Sequence, residues 1–123
     1  MRVEVRGHGV EVSEGLRLHV EHRARLALDR FRERVEAVHA SLRDVNGAGR
    51  RGVDKECRIA VTLVPTGSVA ASARRADLYQ AIDVAAGAAG RSLARAMSRR
   101  RVRSRQPPRP PSRELGPAER TTP

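Results

Sequence analysis

The sequence predicts an α+β fold: a β-α-β-β-β-α two-layer sandwich whose four-stranded, mainly antiparallel sheet carries two helices on one face, followed by a disordered C-terminal tail. Three observations lead there. The spacing of apolar residues switches between a period of two and a period of three to four in that order along the chain. The last three period-two segments are consecutive and joined by short links, which favours an antiparallel meander and leaves the helices to share one face. The chain has 123 residues, enough to bury one apolar core but not to add a second catalytic domain.

In the first segment Val3 and Val5 face one way while Arg2, Glu4 and Arg6 face the other, and Gly7-His8-Gly9 ends the strand. Ser13 followed by Glu14 marks a helix start, because a Ser hydroxyl accepts from an otherwise unpaired N–H and an early carboxylate suits the positive end of the helix dipole. This helix is expected to run to about Arg32. Leu16, Val20, Ala24, Ala27 and Phe31 form its buried stripe, Leu18, Leu26 and Leu28 widen it, and Arg23, Arg30 and Arg34 align on another face. From Val35 the period returns to two, with Val38, Ala40 and Leu42 opposite His39, Ser41 and Arg43.

A glycine-rich connector, Asn46-Gly47-Ala48-Gly49-Arg50-Arg51-Gly52, leads to a third strand in which Cys57, Ile59, Val61 and Leu63 alternate with Arg58, Ala60 and Thr62. Pro65-Thr66-Gly67 supplies a tight turn. Val69, Ala71 and Ala73 then alternate with Ala70, Ser72 and Arg74 as a fourth strand. Asp77 caps the second helix, whose buried stripe is Leu78, Ile82, Ala85 or Ala86, Ala89, Leu93 and Met97, while Arg91, Arg95 and Arg99 form a basic stripe at four-residue spacing. These elements make residues 1–97 the folded domain. Residues 98–123 hold six of the seven prolines and too few apolar groups to offset chain entropy, so they read as a disordered basic tail.

Charge narrows the function. Twenty-five basic residues against fourteen acidic ones give a net charge of +11, and residues 98–123 contribute +6 of it. All but one of the basic residues are Arg. GC-rich codons account for Arg over Lys but not for the net charge, and a field of this size attracts polyanions, nucleic acid ahead of acidic lipid. The longest stretch free of charged and strongly polar groups, residues 84–90, falls far short of the ~20 apolar residues that span a bilayer. The N-terminus alternates charged and apolar residues where a signal peptide would have a continuous apolar run, and a single cysteine, Cys57, forms no internal disulfide; both point to the cytoplasm.

Catalysis has no visible carrier. No Ser, Cys or Lys stands in a nucleophile motif, and the carboxylates are interleaved with arginines, so the chain reads as a non-enzyme with no cofactor. Gly47-x-Gly49-x-x-Gly52 matches the dinucleotide fingerprint as text, but a strand follows it where that motif requires a helix N-terminus. His8, His19, His22 and His39 lack the paired Cys/His spacing of a structural zinc site and read as surface histidines. Phe31 and Tyr79 are the only aromatic residues, too few for a base-stacking platform. Arginines on helix faces and loops remain, suited to phosphates of folded or double-helical RNA read by shape.

The stretch Val69-Ala70-Ala71-Ser72-Ala73-Arg74-Arg75-Ala76-Asp77-Leu78-Tyr79-Gln80-Ala81-Ile82-Asp83 closely resembles the ribosome hibernation promoting factor and ribosome-associated inhibitor family, also labelled sigma-54 modulation proteins, in which a strand ending Ala-Ser-Ala leads into Asp-Met-Tyr-x-Ala-Ile-Asp. Gly7-His8-Gly9-Val10-Glu11-Val12-Ser13-Glu14-Gly15-Leu16-Arg17 resembles the same family's first loop and helix start. The resemblance covers residues 2–97. It implies the same element order and a non-catalytic factor that enters the messenger and transfer RNA channel of the small ribosomal subunit when growth slows, blocking translation and protecting idle ribosomes under stress. The partners it implies are the small ribosomal subunit and its ribosomal RNA, with no small-molecule substrate, no membrane, and a monomer off the ribosome.

By the same resemblance, Arg17 and Arg23 on the first helix and Arg91 and Arg95 on the second correspond to basic positions that meet ribosomal RNA. Arg99 extends the stripe, and Arg30, Arg74, Arg75 and Tyr79 complete the candidate RNA-contacting set. Asp77 and Tyr79 also have structural readings, as a cap and a half-buried ring. Three departures stand out: Gly87 and Gly90 within the second helix, where relatives carry long side chains; Arg74 and Arg75, where acidic residues are common; and a proline-arginine tail in place of the dimerisation domain of long members, which makes the chain resemble the short form. Two other readings stay open, a divergent relative on another RNA or ribosomal surface and a protein-interaction module acting on transcription machinery.

Overall fold

A computed structural model describes residues 1–45 and 54–105, with side chains placed as far as residue 99. The chain forms β1 (Arg2–His8), α1 (Glu14–Leu28), a 3-10 segment (Asp29–Arg34), β2 (Val35–Asp44), β3 (Lys55–Leu63), β4 (Ser68–Arg75) and α2 (Leu78–Arg105). The strands lie in the order β1-β2-β3-β4. β2, β3 and β4 pair antiparallel, as expected of consecutive short-linked strands. β1 pairs parallel with β2, so the sheet is mixed; the connection between them passes through α1, the kind of crossover that parallel neighbours require.

Register explains the core. Val3, Val38, Val61 and Val69 form one row across the four strands, and Val5, Ala40, Ile59 and Ala71 form the next. Side chains in such rows share a face, and these pack with Leu16, Val20, Ala24 and Leu28 of α1 and with Ile82, Ala85, Ala89 and Leu93 of α2 in a single cluster. Both helices therefore cover one face of the sheet. α2 contributes four buried alanines, Ala81, Ala85, Ala86 and Ala89, which hold its axis close over β3 and β4.

Helix starts follow the expected chemistry. Ser13 Oγ accepts from the Leu16 amide at 3.1 Å, and Asp77 Oδ1 accepts from the Tyr79 amide at 3.2 Å. Other expectations are corrected. Leu18 and Leu26 do not widen the buried stripe of α1: they are 50% and 60% exposed, since each lies two residues, or about 200°, from a member of the Leu16-Val20-Ala24-Leu28 row. The α-helix ends at Leu28, and Phe31 (φ −120°, ψ 22°) interrupts the 3-10 segment, so Arg30 and Arg34 do not continue the line of Arg23. α2 runs on to Arg105, beyond the 97/98 boundary. Arg is a good helix former, and the first residue that cannot continue a helix is Pro107. The glycine-rich connector, with Gly47, Gly49 and Gly52, and the tail from residue 106 lie outside the described residues.

Candidate nucleic-acid interface

The arginines divide into those already held by carboxylates and those that are not. On α1, Arg17 reaches Glu14 one turn back and Glu21 one turn on, its Nη1 donating to Glu21 Oε2 at 2.7 Å. The hydrogen bond to Glu14, reinforced by the charges of both carboxylates, raises the guanidinium above its ordinary pKa. Arg17 is therefore locally neutralised. Arg30 leaves the helix and stacks over the Phe31 ring, 5.0 Å from its centroid.

Arg23 faces the seam between the helices. Its Nε lies 3.1 Å from Asp83 Oδ1 on α2, and the same oxygen meets His19 Nε2 at 2.7 Å. The His19 ring stands edge-on to Tyr79 with centroids 5.0 Å apart. A Cβ built on Gly15 would sit 3.0 Å from the Tyr79 hydroxyl, so α1 passes close over this ring. Farther along α1, a Cβ at Gly90 would come within 2.8 Å of the Ala27 carbonyl oxygen. Asp83, Tyr79 and Gly90 thus dock α2 against α1. His19, read from the sequence as a surface histidine, is a member of this seam; only its distance from Asp83 across 64 positions shows it.

Arg91, Arg95 and Arg99 behave as the periodicity predicts. All three are exposed on α2, and among the described residues none of them pairs with a carboxylate; Arg95 reaches only the Ser92 hydroxyl, at 3.2 Å. Spacing of four residues places them about 6 Å apart along one strip of the helix, on a side of α2 other than the one Asp83 and Gly90 turn towards α1. At the end of β4, Arg74 lies 3.5 Å from Glu56, and Arg75 donates to the Arg74 carbonyl at 2.6 Å. The nine candidate residues therefore do not form one patch. Arg91, Arg95 and Arg99 form a continuous positive strip, Arg23 and Tyr79 line the interhelical seam, Arg17 is tied to its own helix, Arg74 and Arg75 edge the sheet, and Arg30 stands apart.

The described residues hold no group of three or more His, Cys, Asp or Glu side chains arranged to hold a metal ion. Burial in the core pushes the Cys57 thiol up to about 12, with the neighbouring Glu56 charge adding to the effect, so its nucleophilic thiolate is scarce at neutral pH. No helix among the described residues is long and apolar enough to cross a membrane. A strip of guanidinium groups on one side of a helix, with no carboxylate partner among the described residues, is suited to binding a phosphate backbone.

A family model described as sigma 54 modulation protein / S30EA ribosomal protein matches residues 3–101. A ribosome hibernation promotion factor of Deinococcus radiodurans is 36% identical over 119 residues, which cover 94% of this chain and 58% of that protein; the chain thus spans little more than half the length of this relative. Among solved structures, the N-terminal domain of Protein Y from Thermus thermophilus matches with a TM-score of 0.63 at 28% identity, over 78% of this chain and 99% of that one. A ribosomal subunit interface protein from Coxiella burnetii shares the fold with a TM-score of 0.66 at 21% identity, over 80% of this chain and 99% of that one.

Proposed function

The chain belongs to the sigma 54 modulation protein / S30EA ribosomal protein family, and from that premise we propose that it is a ribosome-associated factor of the cytoplasm that binds ribosomal RNA of the small subunit, occupies the messenger and transfer RNA channel, and holds idle ribosomes inactive under stress. The carrying observation is the Arg91-Arg95-Arg99 strip, whose positive charge no carboxylate of the described residues offsets. Helix arginines neutralise RNA phosphates and release counterions, and the folded body excludes transfer RNA by its volume. Nothing in this action needs a reactive group. The name of the Deinococcus relative supports the ribosomal reading, and the resemblance of residues 69–83 to hibernation factors supports the channel.

The test is sedimentation of the full chain with small subunits, large subunits and whole ribosomes at two salt concentrations, with initiator transfer RNA as competitor. Stoichiometric binding to the small subunit that transfer RNA displaces is the expected result. Replacement of Arg91, Arg95 and Arg99 together by Ala should flatten the salt dependence by about 0.7–0.9 logarithmic units for each phosphate no longer neutralised. Equal binding to every particle, lost at modest salt, would mean that the charge acts generically and that no channel site exists.

A further inference from the structure

The face of the sheet turned away from the helices plays no part in that reading, yet its charges are arranged. Register places four rows on it. Arg2, Ala37, Thr62 and Ser68 form the first, Glu4, His39, Ala60 and Ala70 the second, Arg6, Ser41, Arg58 and Ser72 the third, and His8, Arg43, Glu56 and Arg74 the fourth. The two carboxylates are both engaged by flanking residues. Glu4 lies 3.1 Å from Arg2 and 3.3 Å from His39, and Glu56 lies 3.7 Å from Arg43 and 3.5 Å from Arg74. The third row is left without a carboxylate: among the described residues Arg6 and Arg58, both exposed, have no ion-pair partner, and each has a serine beside it in the row.

Ser41 alone stands between these arginines in the row, and Ser72, Ala60 and Ala70 lie beside Arg58, side chains too short to keep a flat ligand away. Arg6 and Arg58 stand two strands apart, about 10 Å, so each guanidinium can take a separate phosphate while a serine hydroxyl donates to the same group or to a ribose. No Phe, Tyr or Trp lies in these rows; their only rings are the imidazoles of His8 and His39, the latter 3.3 Å from Glu4, so there is no series of rings for bases to stack on. The chemistry favours a sugar-phosphate backbone, read without sequence. We propose that this row is a second RNA-backbone surface, so that one molecule grips two RNA segments, one on the α2 strip and one on the open face of the sheet. The inference rests on the RNA-binding reading above and adds a bridging action to it.

The experiment uses the full chain and a short RNA duplex prepared in two batches, one with a fluorescent donor and one with an acceptor. Below one protein per duplex, the wild-type chain should bring donor and acceptor together, and excess protein should abolish the transfer because each duplex then has its own protein. Arg6→Gln/Arg58→Gln should still bind a single duplex through α2, lose the transfer, and flatten the salt dependence of binding by on the order of one logarithmic unit for each phosphate no longer neutralised. Arg6→Lys/Arg58→Lys keeps the charge and should retain most of the transfer, which separates an electrostatic role from a folding defect. Transfer and salt slope unchanged in Arg6→Gln/Arg58→Gln would overturn the second surface. A wild-type chain that binds one duplex without transfer also overturns it while leaving the RNA reading intact. A chain that binds neither duplex nor small subunits overturns both.

Discussion

At the scale of single residues, two glycines of α2 that look alike in the sequence have opposite roles. An added Cβ at Gly90 meets the Ala27 carbonyl oxygen at 2.8 Å, a backbone atom that cannot yield unless α1 moves, whereas at Gly87 the nearest atom is the mobile Arg91 Nη1 at 3.5 Å. Alanine is the better helix former by about 1 kcal/mol, so Gly87→Ala should raise the unfolding free energy by roughly 0.5–1 kcal/mol. Gly90→Ala gains the same propensity but overpacks the crossing, at a cost of about 1–3 kcal/mol, and is expected to lower stability. Urea unfolding of the two variants checks the contrast, and equal shifts in both would mean that the helices do not cross at Gly90. Cys57 offers a second test. Its thiol ionises near 9.0 when exposed and near 12 in the fold, so the native state keeps a proton that the unfolded chain releases. That contribution is complete below pH 9 and is lost between pH 9 and pH 12, by about 1.4 kcal/mol per pH unit within the window. The unfolding free energy of Cys57→Ala should therefore fall less steeply with pH over that range than that of the wild type.

At the scale of elements, the two helices carry arginines at comparable density but put them to different uses. α1 pairs Arg17 with Glu14 and Glu21 and lends Arg23 to Asp83, so its positive charge is largely spent on its own surface and on docking. Exposed pairs of this kind contribute little to stability, because water and salt screen them. A phosphate approaching Arg17 must compete with two carboxylates, whereas one approaching Arg95 competes only with the Ser92 hydroxyl. Arg95→Ala is thus expected to weaken small-subunit binding by about tenfold, the loss of one hydrogen bond to a charged group, and Arg17→Ala to change it by no more than about twofold. Titrations at one salt concentration compare them directly. A larger loss from Arg17→Ala would move the interface from α2 to α1.

At the scale of the whole molecule, one sheet separates two chemically distinct sides. The helices seal one side over a core of aliphatic side chains, and the other stays open, with Arg6 and Arg58 in one row and the short side chains of Ser41, Ser72, Ala60 and Ala70 beside them. The parallel joining of β1 to β2 sets the width of that open side, because it brings Arg6 into the row of Ser41 and Arg58. Loss of both Arg6 and Arg58 and loss of the α2 strip should therefore each leave a protein that holds one RNA segment, and their combination should leave one that holds none. Gel-shift titration of the combined variant against one duplex measures this, and near-wild-type binding would assign the affinity to surfaces other than these two.

Much of this was legible in the residues themselves. Alternation at Val38, Ala40 and Leu42 and at Cys57, Ile59 and Val61 can bury one face only as strands, Ser13 and Asp77 mark helix starts through local hydrogen bonds, and Arg91, Arg95 and Arg99 align by helical geometry alone. These features depend on neighbours within a few positions, and the sequence determines them along with the element order and the positive charge. Tertiary structure decided what depends on distant partners: that β1 runs parallel to β2, that Asp83 takes His19 and Arg23, and that Gly90 makes room for Ala27. It also decided which arginines remain available. The physical reason is that a guanidinium's free charge depends on the carboxylates the fold brings within about 4 Å of it, and periodicity along one chain does not encode that distance.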